Sequence, residues 1–196
     1  MLTKKKVKEM MKIKGEVRGE AIKVDLDFVR ERKGEKGLKK LEAKKKELGY
    51  PLKYDDIKSM GFYPFGYSVL QMTLIQELFN FSDKELEEWG ASVIKFSILM
   101  KIFMKYFVSL DLIAKQIPDI WRKHYTIGDL EMNDYSKKDK YVILKLTNFK
   151  IDPTYCGIYR GYFAKTAEMV IKAKIKCKET KCMFRGDPYH EFLLTW

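Results

Sequence analysis

The feature that most constrains the fold is a change in hydrophobic period at Gly128. Up to that point apolar residues recur at helical spacing, whereas DLEMNDYS (129–136) and KYVILKLTNFK (140–150) alternate as strands do, joined by a polar turn. A helix opening at Asp152-Pro153 and reaching about residue 172 follows. Two more strand-like segments, KAKIKCKETKCMF and PYHEFLLTW, close the chain. The order predicts an α+β fold, in which an N-terminal helical half precedes a ββαββ unit with a four-stranded antiparallel sheet packed by helices.

The helical half is divided by glycine, proline and capping signals. Two helices are expected at about 20–33 and 34–48, a third at 67–80, a fourth from a capping box at Ser82 to about 107, and a fifth at about 109–124. We expect a single domain over residues 1–196. Its parts are a basic helical region (1–53), a helical ligand-pocket half (54–127) and the sheet with a metal site (128–196).

The positive charge is concentrated at the front of the chain. Residues 1–53 hold 18 Lys/Arg and 9 Asp/Glu, whereas residues 54–196 hold 21 and 18. A nucleic-acid footprint or an anionic membrane surface is one interpretation. A solvated helix face is the favoured one, because the lysines alternate with glutamates and lack the aromatic side chains that stack on bases. Nucleic acid is therefore disfavoured as a partner.

No segment has the length and apolarity of a membrane span. The most apolar run, 92–108, is interrupted by Lys95, Lys101 and Lys105. Three cysteines without a recognisable signal peptide suggest a reducing compartment, and we expect a cytoplasmic protein.

The last third of the chain collects soft metal ligands. Cys182 and His190 fall on the two arms of one hairpin, and Cys156 lies near the start of the preceding helix, so three donors can converge. Cys177 and Glu179 compete for a fourth place, and both are separated from Cys182 by an odd number of residues. Glu179 can join only if a bulge at Thr180-Lys181 shifts the strand. Buried thiols with a hydrogen-bonded histidine are the alternative to a zinc site.

The motifs E-T-K-C-x3-G-D-P-Y-H-x-F (179–192) and Y-C-G-x2-R-G-Y (155–162) resemble the 4-vinyl-reductase (4VR) domain family. Its superfamily includes haem–nitric-oxide-binding (H-NOX) domains, phenol-sensor modules and TRAPP Golgi-transport subunits. The resemblance implies a structural zinc ion held by Cys156, Glu179, Cys182 and His190. It selects Glu179 over Cys177, and His190 stands where the family usually has cysteine.

The same resemblance implies a pocket for a small hydrophobic or aromatic ligand between the helices and the sheet. The expected lining residues are Leu70, Leu74, Phe96, Met100, Phe103, Trp121 and His124. An ordinary packed core is the alternative interpretation of the apolar members, and a structural role is the alternative for Trp121 and His124.

The favoured function is a zinc-stabilised, non-catalytic binding or sensory domain that signals through an unknown protein partner or a homodimer. A scaffold like the TRAPP subunits is the second hypothesis, and a tetrapyrrole vinyl reductase or haem gas sensor is the third. Haem is disfavoured, because the helix SLDLIAKQI (109–117) lacks an axial histidine and His124 and His190 are the only histidines.

Overall fold

A computed structural model describes residues 2–97, 100, 102 and 109–196 of the chain. Its contacts divide the chain into two compact units. The first comprises the described residues up to Ser82 together with His124–Thr126, and the second comprises the described part of Asp83–Lys123 together with Ile127–Trp196. The expected single domain over residues 1–196 stays a prediction.

The first unit consists of three helices and a two-stranded sheet. Its elements are α1 (Lys4–Met10), β1 (Glu16–Arg18), α2 (Gly19–Glu47), β2 (Phe62–Pro64) and α3 (Phe65–Phe79). The strands pair antiparallel, with Val17 opposite Tyr63. Helix α2 changes direction at Gly34, whose φ of 66° and ψ of −174° are not helical. The expected break between two helices at this glycine is therefore confirmed.

A buried polar chain links α2 to α3 in this unit. The Lys45 side chain is fully buried, and its Nζ donates to Gln71 Oε1 at 2.6 Å. Gln71 Nε2 donates in turn to the carbonyl oxygen of Ile22 at 3.0 Å and to Asp25 Oδ2 at 3.2 Å. Burial is the main cause that lowers the pKa of Lys45, to about 8, because a buried ammonium loses its hydration.

The second unit contains the four-stranded sheet. Its elements are α4 (Asp83–Phe96), α5 (Leu110–His124, whose last residue groups with the first unit), β3 (Asp129–Ser136), β4 (Tyr141–Thr147), α6 (Thr154–Ile171), β5 (Lys176–Lys181), a 3-10 turn (Met183–Arg185) and β6 (His190–Thr195). The strand order is β3-β4-β6-β5, and every neighbouring pair is antiparallel. The predicted α+β fold with a ββαββ sheet is confirmed.

Helix α6 covers one face of this sheet. Alternate residues of β4 and β6 are buried, and Phe163 of α6 packs edge-on against Phe192 of β6 with ring centroids 5.0 Å apart. Helix α4 crosses α6 at two glycines. A Cβ atom built on Gly90 would lie 1.8 Å from the carbonyl oxygen of Ile158, and one on Gly161 would lie 1.8 Å from that of Glu87. The two backbones therefore approach too closely for any side chain at these positions.

The helix expected from residue 83 to about 107 is wrong as a continuous helix, and residues 98, 99, 101 and 103–107 of that prediction lie outside the described residues. Helix α4 ends at Phe96, and Ser97 lies outside helical structure. The Ser97 hydroxyl accepts a hydrogen bond from the backbone N–H of Met100 at 3.0 Å. None of the helices within the described residues is long and apolar enough to cross a membrane.

Candidate metal centre

The strand β5 carries a bulge where the sequence requires one. Glu179 pairs with Phe192 and Lys181 pairs with Glu191, so Thr180 is an extra residue in the ladder. The Thr180 hydroxyl donates to Glu191 Oε1 at 2.9 Å. Because the extra residue shifts the alternation by one, Glu179 and Cys182 both lie on the buried side of the sheet. The predicted bulge at Thr180-Lys181 is confirmed.

The turn after β5 is held by Cys182 and Asp187. The backbone N–H of Cys182 donates to Asp187 Oδ2 at 2.7 Å, and the carbonyl oxygen of Cys182 accepts from the N–H groups of Arg185 at 2.9 Å and Asp187 at 3.2 Å. Gly186 reverses the chain at φ 98°, a conformation that favours glycine. These bonds fix the Cys182 backbone and return the chain to His190.

Helix α6 contributes the remaining donor. Cys156 lies in the first turn of the helix, which starts after the Asp152 carboxylate accepts a hydrogen bond from the N–H of Thr154 at 2.8 Å. Its sulfur lies 3.8 Å from the Cys182 sulfur and 3.9 Å from His190 Nδ1. The structure thus brings a helix residue to the residues of the final hairpin.

The four predicted donors form one buried cluster. One ligand atom from each of Cys156, Glu179, Cys182 and His190 can be chosen so that all lie within 4.8 Å of one another. A tetrahedral zinc ion with Zn–S bonds of about 2.3 Å and Zn–N bonds of about 2.0 Å would place two sulfurs about 3.8 Å apart, and a sulfur and a nitrogen about 3.5 Å apart. The observed sulfur–sulfur separation of 3.8 Å matches the first value, and the sulfur–nitrogen separation of 3.9 Å is slightly longer than the second. The donor set therefore fits a four-coordinate divalent metal ion.

The histidine is oriented for metal binding. His190 Nε2 lies 3.2 Å from the carbonyl oxygen of Phe149, and because a carbonyl only accepts, Nε2 carries the proton. The lone pair of Nδ1 then points into the cluster, 3.0 Å from Glu179 Oε1. Two lone-pair atoms so close require a cation or a shared proton between them. A proton would satisfy only this pair, whereas a metal ion would also account for the two sulfurs around it.

The electrostatics of the cluster depend on its burial. Burial, together with the nearby Glu179 charge, raises the pKa of the Cys156 thiol. Burial also opposes ionisation of Glu179. In the metal-free cluster a proton shared with His190 Nδ1 and hydrogen bonds from Cys156 and Cys182 outweigh burial and lower the pKa of that carboxyl. Burial thus opposes ionisation of the Cys156 thiol beside a carboxylate, and a metal ion would displace the proton of that thiol on binding.

Cys177 lies outside this cluster. It pairs with Leu194 in the sheet, and burial raises the pKa of its thiol to about 12. Spacing alone favoured Cys177 over Glu179 for the fourth position, and the resemblance favoured Glu179. Of these two residues, the structure brings Glu179 to the other three donors.

The expected pocket residues fall in both compact units. Leu70 and Leu74 are fully buried in the first unit, which also includes His124; Met100 and Trp121 are buried in the second, with Phe96 partly buried. Phe103 lies outside the described residues. The indole N–H of Trp121 donates to the carbonyl oxygens of Ile127 at 2.9 Å and Gly128 at 3.0 Å. The pocket itself stays a prediction.

The sequence did not indicate three groups that support the cluster: the Phe149 carbonyl, Arg185 and Asp187. The Gly186-Asp187 pair signalled a turn, but a turn signal does not say that the carboxylate bonds back to Cys182. The Phe149 contact involves a backbone oxygen, which has no side-chain signature. Only the folded chain places these groups beside the donors.

No family model matches the chain. An uncharacterised protein of Methanocaldococcus jannaschii is 30% identical over 95 residues, covering 45% of this chain and 53% of that protein. The chain thus matches about half the length of this curated relative. The resemblance to the 4VR family stays a prediction.

Solved structures are similar in fold over more of the chain than the sequence relative is. An H-NOX protein from S. oneidensis in the Fe(II)NO state is similar over 90% of this chain and 97% of its own, with a TM-score of 0.68 and 14% identity. An unliganded Fe(II) H-NOX protein from K. algicida is similar over 91% and 95%, with a TM-score of 0.60 and 15% identity. A trafficking protein particle complex subunit 3 from Naegleria fowleri covers 66% of the chain at a TM-score of 0.47, a level that indicates nothing about function. The chain has an H-NOX-like α+β fold.

Proposed function

We propose that this protein is a zinc-stabilised, non-catalytic module that binds a small hydrophobic molecule and acts as a sensor. The observation that carries the metal half of the proposal is the buried cluster of Cys156, Glu179, Cys182 and His190, whose sulfur–sulfur separation of 3.8 Å matches a tetrahedral ion. Four protein donors leave no position for a catalytic water, so the ion would stabilise the fold. The three free thiols fit a reducing compartment, and we place the protein in the cytoplasm.

The ligand half of the proposal is supported by an apolar cluster in the second unit. Buried Met100 and Ile113 are surrounded by partly buried apolar side chains from α4, α5, β3 and α6, which are Val93, Ile117, Ile120, Met132, Tyr162 and Val170. Such partly covered apolar surface is what a hydrophobic ligand would bury further. Phe96 and Trp121 of the predicted pocket belong to the same unit.

Tyr162 gives this cluster a polar group. Its hydroxyl donates to the Met100 sulfur at 3.1 Å, and a thioether is a weak acceptor. A ligand carrying a carbonyl or hydroxyl oxygen would offer a better one. We therefore infer a ligand with an aromatic or aliphatic body and one oxygen acceptor, and binding would be reported through a protein partner or a homodimer.

We do not propose haem binding for this chain on the basis of the H-NOX structures. The chain has two histidines, and His190 is committed to the metal cluster, with both ring nitrogens engaged. His124 alone would have to serve as axial ligand. The proposal is therefore for an organic ligand without iron.

The first experiment measures what the purified protein contains. We expect elemental analysis to find about one zinc ion per chain, lost on Cys182→Ser and retained on the matched variant Cys177→Ser. Less than about a tenth of an ion per chain, with folding insensitive to a strong chelator, would exclude the metal centre.

The second experiment tests the ligand. We expect native mass spectrometry to show a bound organic molecule, or small phenols and ketones to raise the midpoint temperature of thermal unfolding. Tyr162→Phe should weaken the response to oxygen-containing compounds but not to matched hydrocarbons. A Soret band in the purified protein would instead identify a haem protein, and no response to any of these compounds would refute the sensor half of the proposal.

A further inference from the structure

The 3-10 turn that follows β5 directs a charged side chain back onto the metal cluster. Arg185 is the last residue of this turn. Its Nη2 lies 3.4 Å from the backbone carbonyl oxygen of Glu179, to which it donates, and its Nη1 lies 3.9 Å from Glu179 Oε2. The Arg185 side chain is 57% exposed whereas that of Glu179 is 5% exposed. The guanidinium therefore lies on the solvent side of a buried carboxylate.

The two oxygens of Glu179 face different partners. Oε1 lies 3.0 Å from His190 Nδ1, inside the cluster, and Oε2 is the oxygen nearest Arg185. Carboxylates bind metal ions through one oxygen or through both. Oε2 is thus the oxygen paired with a guanidinium, and Oε1 is the oxygen within hydrogen-bond distance of His190.

The net charge of the proposed metal site also indicates a role for Arg185. Two thiolates and one carboxylate around a divalent ion leave one unit of net negative charge, in a region where His190 and Cys182 are almost fully buried. Arg185 brings one positive charge to the carboxylate edge of that site. Groups outside the ligand set that hydrogen-bond or pair with the ligands orient them and tune metal affinity.

We propose that Arg185 is a positioning residue of the metal centre, an inference that rests on the proposed zinc site. It holds Glu179 Oε2 away from the ion, so that Glu179 contributes one oxygen and the site keeps four donors. It also balances the negative charge of the loaded site. Arg185 thus favours a four-coordinate ion over one with an expanded coordination shell.

The hydrogen bonds that position the Arg185 backbone do not depend on a metal ion. The Asp187 carboxylate accepts a hydrogen bond from the Cys182 N–H at 2.7 Å, and the Arg185 N–H donates to the Cys182 carbonyl oxygen at 2.9 Å. Replacing the Arg185 side chain leaves both backbone bonds in place. A substitution at this position therefore tests the charge and the hydrogen bonds of the guanidinium rather than the turn.

The experiment uses Co²⁺ as the probe, because its visible absorption bands report coordination number. Wild type, Arg185→Gln, Arg185→Lys and the control Arg122→Gln are compared by Co²⁺ spectra and by competition with a chelator. Arg122 is an apt control because it is 63% exposed and its ion pairs with Asp119 and Asp129, each at 3.8 Å, are remote from the cluster in sequence. Thermal unfolding of the metal-free proteins shows whether any variant is misfolded.

We expect Arg185→Gln to bind Co²⁺ about 10-fold more weakly, with bands that lose intensity as the coordination number rises. Arg185→Lys restores part of the affinity because it restores the charge, and Arg122→Gln matches the wild type. Identical spectra and affinities for Arg185→Gln and wild type would overturn the role of Arg185 while leaving the metal centre intact. A wild-type protein that takes up no Co²⁺ or Zn²⁺ would overturn the metal centre itself, and with it this inference.

Discussion

Removal of the metal should lower the free energy of unfolding by an amount that the cross-linked loop allows us to calculate. The ion would join Cys156 to His190, which are 34 residues apart. Closing a loop of that length removes chain entropy worth about 4 kcal/mol, by the relation between loop length and entropy that holds for covalent cross-links. Mass action gives a similar figure, since free zinc at about 100 to 1,000 times its dissociation constant stabilises the folded state by about 2.7 to 4.1 kcal/mol.

The assay is thermal unfolding with excess zinc and with excess chelator. For a chain of this size about 1 kcal/mol shifts the midpoint by about 2–4 °C, so we expect chelation to lower it by about 10 °C. Cys182→Ser should unfold at the lower temperature in both conditions, whereas Cys177→Ser should keep the full zinc response. A chelator effect below about 2 °C, or an equal response in Cys182→Ser, would refute the reasoning, because buried thiols alone cost only about 1 kcal/mol on substitution.

Three further predictions concern other parts of the molecule. The pKa of Lys45 is lowered to about 8 in the folded chain and is about 10.4 in the unfolded chain, so the free energy of unfolding should rise by about 3 kcal/mol between pH 8 and 10.5. Urea unfolding of Lys45→Met should lack that rise, and the same pH dependence in both proteins would contradict the prediction. Gly161→Ala places a methyl group on the carbonyl oxygen of Glu87 and should cost at least about 1–3 kcal/mol of unfolding free energy, whereas an unchanged midpoint would mean that α4 and α6 separate freely. Asp187→Ala removes the acceptor of the Cys182 N–H and should cost about 1.5–3 kcal/mol, whereas Asp187→Asn keeps an oxygen acceptor and should cost less; equal losses would contradict the capping role.

The sequence predicted the sheet half of the molecule well, because strands covered on one face leave a period of two in the chain. The same period of two showed that β5 needs a bulge for Glu179 and Cys182 to face the same side of the sheet. Glu179 and Cys182 could share a face only if one extra residue lay between them, and Thr180 is that residue. The choice between Glu179 and Cys177 could not be made from spacing, because the two are two residues apart and share one face.

The helical half was less predictable, since helical spacing continues across breaks that depend on local hydrogen bonds. The segment from Asp83 onward has an unbroken apolar pattern, yet the helix ends at Phe96 and Ser97 accepts from the N–H of Met100. A serine within such a pattern is compatible with either a helix interior or a cap, and tertiary packing decides between them. The apolar residues named for a ligand pocket have the same ambiguity, because a pocket wall and a packed core require the same side chains.

The position of the four donors explains why a metal would serve the fold rather than chemistry. Cys156 belongs to α6, Glu179 to β5, Cys182 to the turn and His190 to β6. A single ion would therefore fasten the covering helix to both arms of the terminal hairpin. The edge strand β5 gains most from this, because only β6 pairs with it among the described strands. Loss of the ion should accordingly expose β5 first, and hydrogen exchange with and without chelator should show protection falling at residues 176–181 while β4, which has a partner on each side, keeps its protection. Equal loss in both strands would indicate that the ion supports the whole unit and not its edge.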